Sequence, residues 1–198
     1  MRELSSPSLE RLRLALRSRK PRRSALRGFT RAATLVPVAE RPGGLSLVFT
    51  ARSAGLSCHA GQISFPGGRR EACDRRMRDT ALREAREEVG LDPAAVEVVG
   101  VLDDVATYTG FVITPVVGWI GKARGFAPDR REVRRVLELP LARLADPGGF
   151  SHAGFRDVAG APHPMFEFRV GKVLVWGATA RMVHDLLSIL GWPKKLRL

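Results

Sequence analysis

Apolar and polar positions along the chain form patterns that predict more strands than helices. Runs rich in branched and aromatic apolar side chains, bounded by glycine or proline, are typical of strands. Because these runs do not alternate regularly with helical segments, they favour an α+β fold built on a mixed sheet. We expect strands over residues 33–39, 45–52, 96–102, 111–120 and 133–139, followed by a hairpin of 165–169 with 172–176.

The remaining segments are predicted to be helices and one long loop. Gly90 lies where a left-handed cap would end the second helix. Pro37 has no N–H to donate, so it favours an edge position or a bulge for the strand that contains it. From the helical period we expect helices over 8–17, 78–89, 141–145 and 178–190, and from its glycines and prolines a loop over 147–164.

Length and composition limit the class of protein. The 198 residues suffice for one domain with an arm, and 44% hydrophobic with 27% charged residues excludes a disordered or fibrous chain. The sequence contains no uncharged apolar run long enough for a membrane span, so we expect no membrane partner. Cys58 and Cys73 are too few for a disulfide scaffold and favour a reduced, cytoplasmic protein.

The positive charge of the chain is unevenly distributed. The net charge is +13, and residues 1–27 hold nine basic and two acidic residues. We therefore divide the chain into a basic N-terminal arm, 1–27, and a domain, 28–198. A modestly basic domain suits phosphate-bearing ligands. Nucleic acid is a less expected partner, because the arm has no aromatic residues on which bases would stack.

The predicted helix over 78–89 concentrates acidic residues. At 100° per residue, Glu84, Glu87 and Glu88 share a surface-facing arc of about 100°, apart from the apolar stripe. Carboxylates at this spacing repel one another, and a hard divalent cation would relieve the repulsion. The alternative is a solvated acidic face steadied by a pair between Arg83 and Glu87.

The sequence around this helix resembles the signature of Nudix hydrolases. That signature is a glycine, a spacer with one acid, and then R-E-U-x-E-E-x-G-U with U apolar; Gly68 and the run 83–91 match it. The spacer is one residue longer than usual, so either Asp74 or Glu71 supplies the early acid. The resemblance implies an α/β/α sandwich around a mixed sheet and hydrolysis of a nucleoside diphosphate linked to another group.

The same resemblance implies a metal site and its ligands. By similarity, Glu84, Glu87 and Glu88 hold Mg²⁺ or Mn²⁺, the carbonyl near Gly68 adds a ligand, and Arg83 orients a glutamate. A general base for the attacking water is also needed. Glu87 inside the signature and Glu132 outside it are both candidates.

Residues before the signature resemble the coenzyme A pyrophosphatase branch of the family. Thr50, Arg52, Ser53, Gly61 and the run 65–68 fit its motif, whereas Ser57 occupies the place of the motif's second arginine. The resemblance implies cleavage of coenzyme A to 3′,5′-ADP and 4′-phosphopantetheine. The substrate contacts that it implies are Arg52, Ser53, His59, Gly67 and Gly68.

Two alternative functions remain open from the sequence, and so does the oligomeric state. The Ser57 departure leaves room for another nucleotide substrate, such as ADP-ribose, a dinucleotide cofactor or a nucleoside triphosphate. A protein of another class, a nucleic-acid-binding module, would use residues 1–27. The sequence is compatible with either a monomer or a homodimer.

Overall fold

The computed structural model describes residues 8–53, 61–123 and 125–191, which contain four α-helices and eleven strands. The helices are α1 (Leu9–Arg17), α2 (Met77–Val89), α3 (Leu141–Leu144) and α4 (Gly177–Ile189), with 3₁₀ turns at Pro93–Ala95 and Pro147–Gly149. The strands are β1 (Thr30–Arg41), β2 (Gly44–Arg52), β3 (Ile63–Ser64), β4 (Gly67–Arg69), β5 (Glu97–Val101), β6 (Val105–Ala106), β7 (Phe111–Gly121), β8 (Val133–Pro140), β9 (Phe150–Val158), β10 (Ala161–Val170) and β11 (Val173–Trp176).

The main sheet is mixed, as the sequence predicts. Its strand order is β3-β2-β1-β7-β5, with β4 also on β1, β8 on β2 and β6 on β7. The β1·β7 pair is parallel, and the other pairs are antiparallel. A second sheet of β9, β10 and β11 completes the described part of the fold.

Helices cover both faces of the main sheet. Alternate side chains of β1 point to opposite faces, so Leu35 packs against α2 while Val36 belongs to the core under α1 and α4. The helix α2 buries its small apolar stripe, which includes Ala81 and Ala85, against the sheet. This arrangement confirms the expected α/β/α sandwich.

Pro37 lies in a central strand, so the predicted edge position is wrong. The main chain of β1 pairs with β4 as far as Thr34 and with β2 from Val38 onward. Between them, the N–H of Leu35 donates to the carbonyl of Pro66. The nitrogen of Pro37, two residues further along the strand, points to the same side of β1. At this point the neighbouring strand changes from β4 to β2. A missing N–H at Pro37 therefore breaks no bond of the sheet.

The loop predicted over 147–164 is also wrong, because β9 and the start of β10 form a hairpin there. Its turn contains Ala159 and Gly160, both with positive φ. Pro162 and Pro164 suggested a loop, but they occupy the part of β10 that pairs only with β9. Proline is tolerated where one side of a strand needs no donor, so both fit here.

The basic N-terminal segment packs onto the domain as far as it is described. The helix α1 has the predicted position, and its Leu12 and Leu16 belong to the main core. Leu16 approaches the backbone of β5 so closely that a Cβ at Gly100 would lie 2.7 Å from it. Arg13 bonds Glu97 of β5 at 2.6 Å. Within the described ranges, no helix combines the length and apolarity that crossing a bilayer requires.

We predict that Leu12→Ala lowers the free energy of unfolding by about 2–4 kcal/mol, because it leaves a cavity at a core position that is 1% exposed. The matched control is Leu14→Ala on the same helix, where the side chain is 71% exposed and little stability should be lost. Urea unfolding curves measure both values. Equal stability of the two variants would contradict the packing of α1.

Candidate active site

Two glycines allow the backbone of β4 to contact the acidic face of α2. A Cβ at Gly68 would lie 2.6 Å from the carboxylate of Glu84, and one at Gly67 would lie 2.4 Å from the carbonyl oxygen of Ala33. The N–H of Gly67 donates to Glu88 Oε1 at 3.5 Å. A side chain at Gly68 would push the strand away from the helix, and one at Gly67 would push it away from β1.

Arg83 fixes the carboxylates at the exposed side of the site. Its Nη1 donates to Glu84 at 2.9 Å and to Glu87 at 3.1 Å. Its Nε and Nη2 donate to the two carboxylate oxygens of Asp74 at 3.2 and 3.1 Å, and Nη2 also reaches the Arg69 carbonyl at 2.9 Å. The orienting role that the resemblance implies for Arg83 therefore has a geometric basis.

Asp74 is the acid of the spacer that pairs with Arg83. Its side chain is buried and accepts the N–H of Glu71 at 2.9 Å. The hydrogen bond from Arg83 lowers the pKa of Asp74 to about 2. The Glu71 carboxylate is largely exposed and lies 3.6 Å from Arg83. The extra residue of the spacer is thus accommodated before the helix without displacing Asp74.

Glu88 is buried, which corrects the prediction that all three glutamates face the surface. Burial raises the pKa of Glu88 to about 8, and the negative charges of Glu84 and Glu132 raise it further. The hydrogen bond from the N–H of Gly67 and the positive charge of Arg52 oppose this rise. Burial also raises the pKa of Glu84, although Arg83 opposes the shift. In contrast, the Glu87 side chain is 58% exposed.

The donor atoms at this site fit a hard divalent cation. They are carboxylate oxygens and main-chain carbonyls, which Mg²⁺ and Mn²⁺ prefer, and a cation would relieve the repulsion around Glu88. In the part of the chain that the structure describes, no three acidic, cysteine or histidine side chains already converge as a finished metal site. The carboxylates of Glu84 and Glu87 instead turn toward Arg83.

The loop before β8 lies beside the carboxylates and brings Glu132 near them. The N–H of Ser53 donates to the Glu132 carbonyl at 2.9 Å, and Ser53 Oγ donates to the Arg130 carbonyl at 3.0 Å. The N–H of Asp129 donates to the Glu88 carbonyl at 3.0 Å. Ser53 therefore tethers this loop through both its groups. His59, like Ser57, lies outside the described residues.

A cavity of about 680 Å³ opens beside the two glycines, between the main sheet and the second sheet. Gly67 and Arg52 line it near the carboxylates. This volume is within the range of small-molecule sites. The other walls come from residues 22–26, from the segment 103–111, from β9 and β10, and from the start of α4.

Two aspartates hold the N-terminal segment in place as a wall of this cavity. The buried Asp104 accepts the N–H of Ser24 at 3.0 Å and hydrogen bonds from Arg23, Arg31 and Thr114 at 2.9, 3.0 and 2.8 Å. Burial alone would raise the pKa of Asp104, but these donors lower it overall.

The adjacent carboxylate of Asp103 binds Arg19 and Arg22. These pairings could not be predicted from local sequence, because the partners of Asp103 and Asp104 are some 80 residues away along the chain. The basic excess before residue 28 was the only signal that acidic partners were needed.

A mixed sheet between helices, with a glycine-backed acidic helix beside a cavity lined by arginines, is the framework of a phosphate-ester or pyrophosphate hydrolase. The family model described as the NUDIX domain matches residues 28–152. The chain belongs to the Nudix hydrolase family, whose members cleave pyrophosphate-containing substrates.

Similar proteins agree with this assignment. The uncharacterized Nudix hydrolase NudL of Salmonella paratyphi B is 38% identical over 171 residues, which cover 81% of this chain and 82% of the relative. The Nudix hydrolase RenU from M. smegmatis superposes with a TM-score of 0.51 and 25% identity over 62% of this chain and 80% of its own. A MutT/nudix family protein from Enterococcus faecalis shares the fold, with a TM-score of 0.56 at 15% identity over 93% and 75% of the two chains.

We predict that the stability of the metal-free protein falls as pH rises from about 4.5 to about 8, because folded Glu88 keeps a proton that the unfolded chain loses. Below that window the contribution is fully present; above it a buried charge is uncompensated, at a cost of about 5 kcal/mol. Glu88→Gln should remove most of this slope and be more stable than the parent at pH 9 in EDTA. Thermal melts of both proteins at several pH values measure this pH dependence of stability.

The matched control is Glu40→Gln, which changes an exposed strand residue and should keep the parental slope. Parallel pH profiles for the parent and Glu88→Gln would show that Glu88 is not buried as described.

Proposed function

We propose that the protein hydrolyses the pyrophosphate bond of coenzyme A, or of an acyl derivative, to 3′,5′-ADP and 4′-phosphopantetheine. The observation that carries the proposal is the cavity that begins at Gly67 and Arg52, two residues of the motif that resembles the coenzyme A branch. A diphosphate at that end lies beside the acidic helix, and the rest of the cavity has room for the groups on either side.

The residues of α2 and β4 would hold the divalent ion that members of this family generally use. Glu84, Glu87 and Glu88 are the proposed carboxylate ligands, and the carbonyl of Gly68 is the proposed main-chain ligand. When bound, such an ion neutralises charge on the diphosphate and makes a water molecule more acidic. Arg83 limits the freedom of Glu84 and Glu87 before the ion arrives, because it already bonds both.

Glu132 is our proposed general base. Glu87, the other candidate, accepts a hydrogen bond from Arg83, which favours Glu132 for this role. No hydrogen bond or ion pair within the described ranges occupies the side-chain oxygens of Glu132, and its charge acts on both Glu84 and Glu88. An exposed, unoccupied carboxylate beside the ligands is suited to accept a proton from the attacking water.

Arg52 is the proposed phosphate contact at the near end of the cavity. Its charge acts on Glu88 and lowers the pKa of that group, which places it within electrostatic range of the site. It makes no ion pair with any described residue, so its guanidinium is available for a diphosphate oxygen. The arginines of the N-terminal segment differ, because those that bond Asp103 and Asp104 are occupied. This observation favours a substrate cavity over a nucleic-acid surface.

The test is hydrolysis with Mg²⁺ or Mn²⁺ of coenzyme A, ADP-ribose, a nicotinamide dinucleotide and ATP, with products identified by mass. We predict the highest kcat/KM for coenzyme A and the two products named above. Glu88→Gln and Glu132→Gln should each lower kcat at least 100-fold, while Glu40→Gln keeps it. A tenfold preference for any other substrate contradicts the substrate proposal, and undiminished kcat in Glu88→Gln contradicts the site.

A further inference from the structure

The far wall of the cavity carries a second arginine that the proposed hydrolysis does not use. Arg156 lies on β9 of the second sheet, and its guanidinium stacks over the Tyr108 ring, 4.3 Å from the centroid. Both residues line the same cavity as Gly67 and Arg52. Stacking on an aromatic face holds the guanidinium plane while its N–H groups remain directed outward along the edges.

The charge of Arg156 is not compensated by the protein around it. Asp103 and Asp104 also line the cavity, but other arginines occupy both. The neighbouring Asp157 belongs to the opposite face of β9, since successive side chains of a strand alternate. Among the described residues Arg156 therefore has an aromatic support and no acidic partner.

The side chains around Arg156 on the β9–β10 hairpin form a surface that faces the cavity. It pairs directly across the hairpin with His163, and both side chains line the cavity. Val158 and Ala161, two residues along each strand, line it as well, as the alternation of a strand requires. Tyr108 is presented by a turn that Thr107 closes, through the N–H of Phe111 to Thr107 Oγ1 at 3.1 Å.

The position of this surface in the chain separates it from the hydrolytic residues. The NUDIX model ends at residue 152, so the acidic helix, Gly67, Arg52 and the supporting Tyr108 lie inside it, whereas Arg156 and His163 lie beyond it. The cavity thus joins a part common to the family with a wall outside the family model. A chemical group that distinguishes one substrate of the family from another would be bound at such a wall.

We propose that Arg156, supported by Tyr108, binds the phosphomonoester on the ribose of the substrate, and so selects coenzyme A over the same molecule without its 3′-phosphate. This inference rests on the proposed function. A diphosphate near Arg52 leaves that second phosphate in need of its own cation, and a guanidinium with free edges binds phosphate through paired hydrogen bonds. Tyr108 is a positioning residue that keeps the guanidinium facing the cavity.

The test compares kcat/KM for coenzyme A and for 3′-dephospho-coenzyme A in the parent and in Arg156→Gln. We expect the parent to prefer coenzyme A at least tenfold, and Arg156→Gln to reduce the preference to within twofold by losing activity on coenzyme A alone. Arg169→Gln, an exposed arginine of β10 that does not line the cavity, is the matched control and should keep the parental ratio. Tyr108→Leu should lower the ratio partway.

The outcomes separate this inference from the function on which it depends. An unchanged ratio in Arg156→Gln, an equal loss on both substrates, or a parent that does not discriminate would overturn the role of Arg156 while leaving hydrolysis of coenzyme A intact. A parent that cleaves neither compound overturns the proposed substrate and this inference with it. Thermal melts of each variant confirm that Arg156 and Arg169 are replaced without loss of fold.

Discussion

The burial of Glu88 against the backbone of Gly67 is the constraint on which the rest of the site depends. The charges of Glu84 and Glu132 act on this carboxylate, and among the described residues it receives one long hydrogen bond, at 3.5 Å from the N–H of Gly67. The protein alone therefore favours its protonated form at neutral pH. A divalent ion would reverse that preference, because it would add positive charge to that of Arg52, which alone does not offset the burial of Glu88. The cost of ionising Glu88 in the metal-free protein and the proposed affinity for metal would then have the same origin.

The glycines, Arg83 and Asp74 are the supports that make this arrangement possible. Without a Cβ on Gly68 the main chain of β4 reaches the helix, and without one on Gly67 it packs closely on β1. Asp74 holds one edge of Arg83 with two hydrogen bonds, while Nη1 of Arg83 bonds Glu84 and Glu87. The depressed pKa of Asp74, about 2, keeps that anchor charged at any pH at which the enzyme would act.

Local sequence patterns predicted the helix α2, its cap and the central strands, because those elements depend on periodicity and on glycine at fixed places. The wrong predictions concern proline. Pro37 and Pro164 break no hydrogen bonds because of where partner strands end, and that depends on tertiary pairing that no local pattern records. The burial of Glu88 could not be predicted for a similar reason. A helical wheel gives the direction in which its side chain points, but β4 and the loop 129–132, which pack beside the helix, decide how far it is exposed.

The wall of the cavity that holds Arg156 and Tyr108 could not be predicted from the sequence at all. Arg156 was part of an expected loop, and its stacking on Tyr108 joins residues 48 positions apart. The same holds for the arginines of the N-terminal segment, whose partners the sequence did not identify. The structure instead pairs several of them with Asp103 and Asp104. Oligomeric state and cytoplasmic location stay predictions.

The most direct test of the central claim is calorimetric titration of the protein with Mn²⁺ at pH 7, repeated in buffers of different ionisation enthalpy. With the pKa of Glu88 at about 8, metal binding should release close to one proton from the parent protein. The proton release should vanish in Glu88→Gln, and the affinity of that variant for Mn²⁺ should also fall. Saturable binding without proton release, or no binding to the parent at all, would contradict the account.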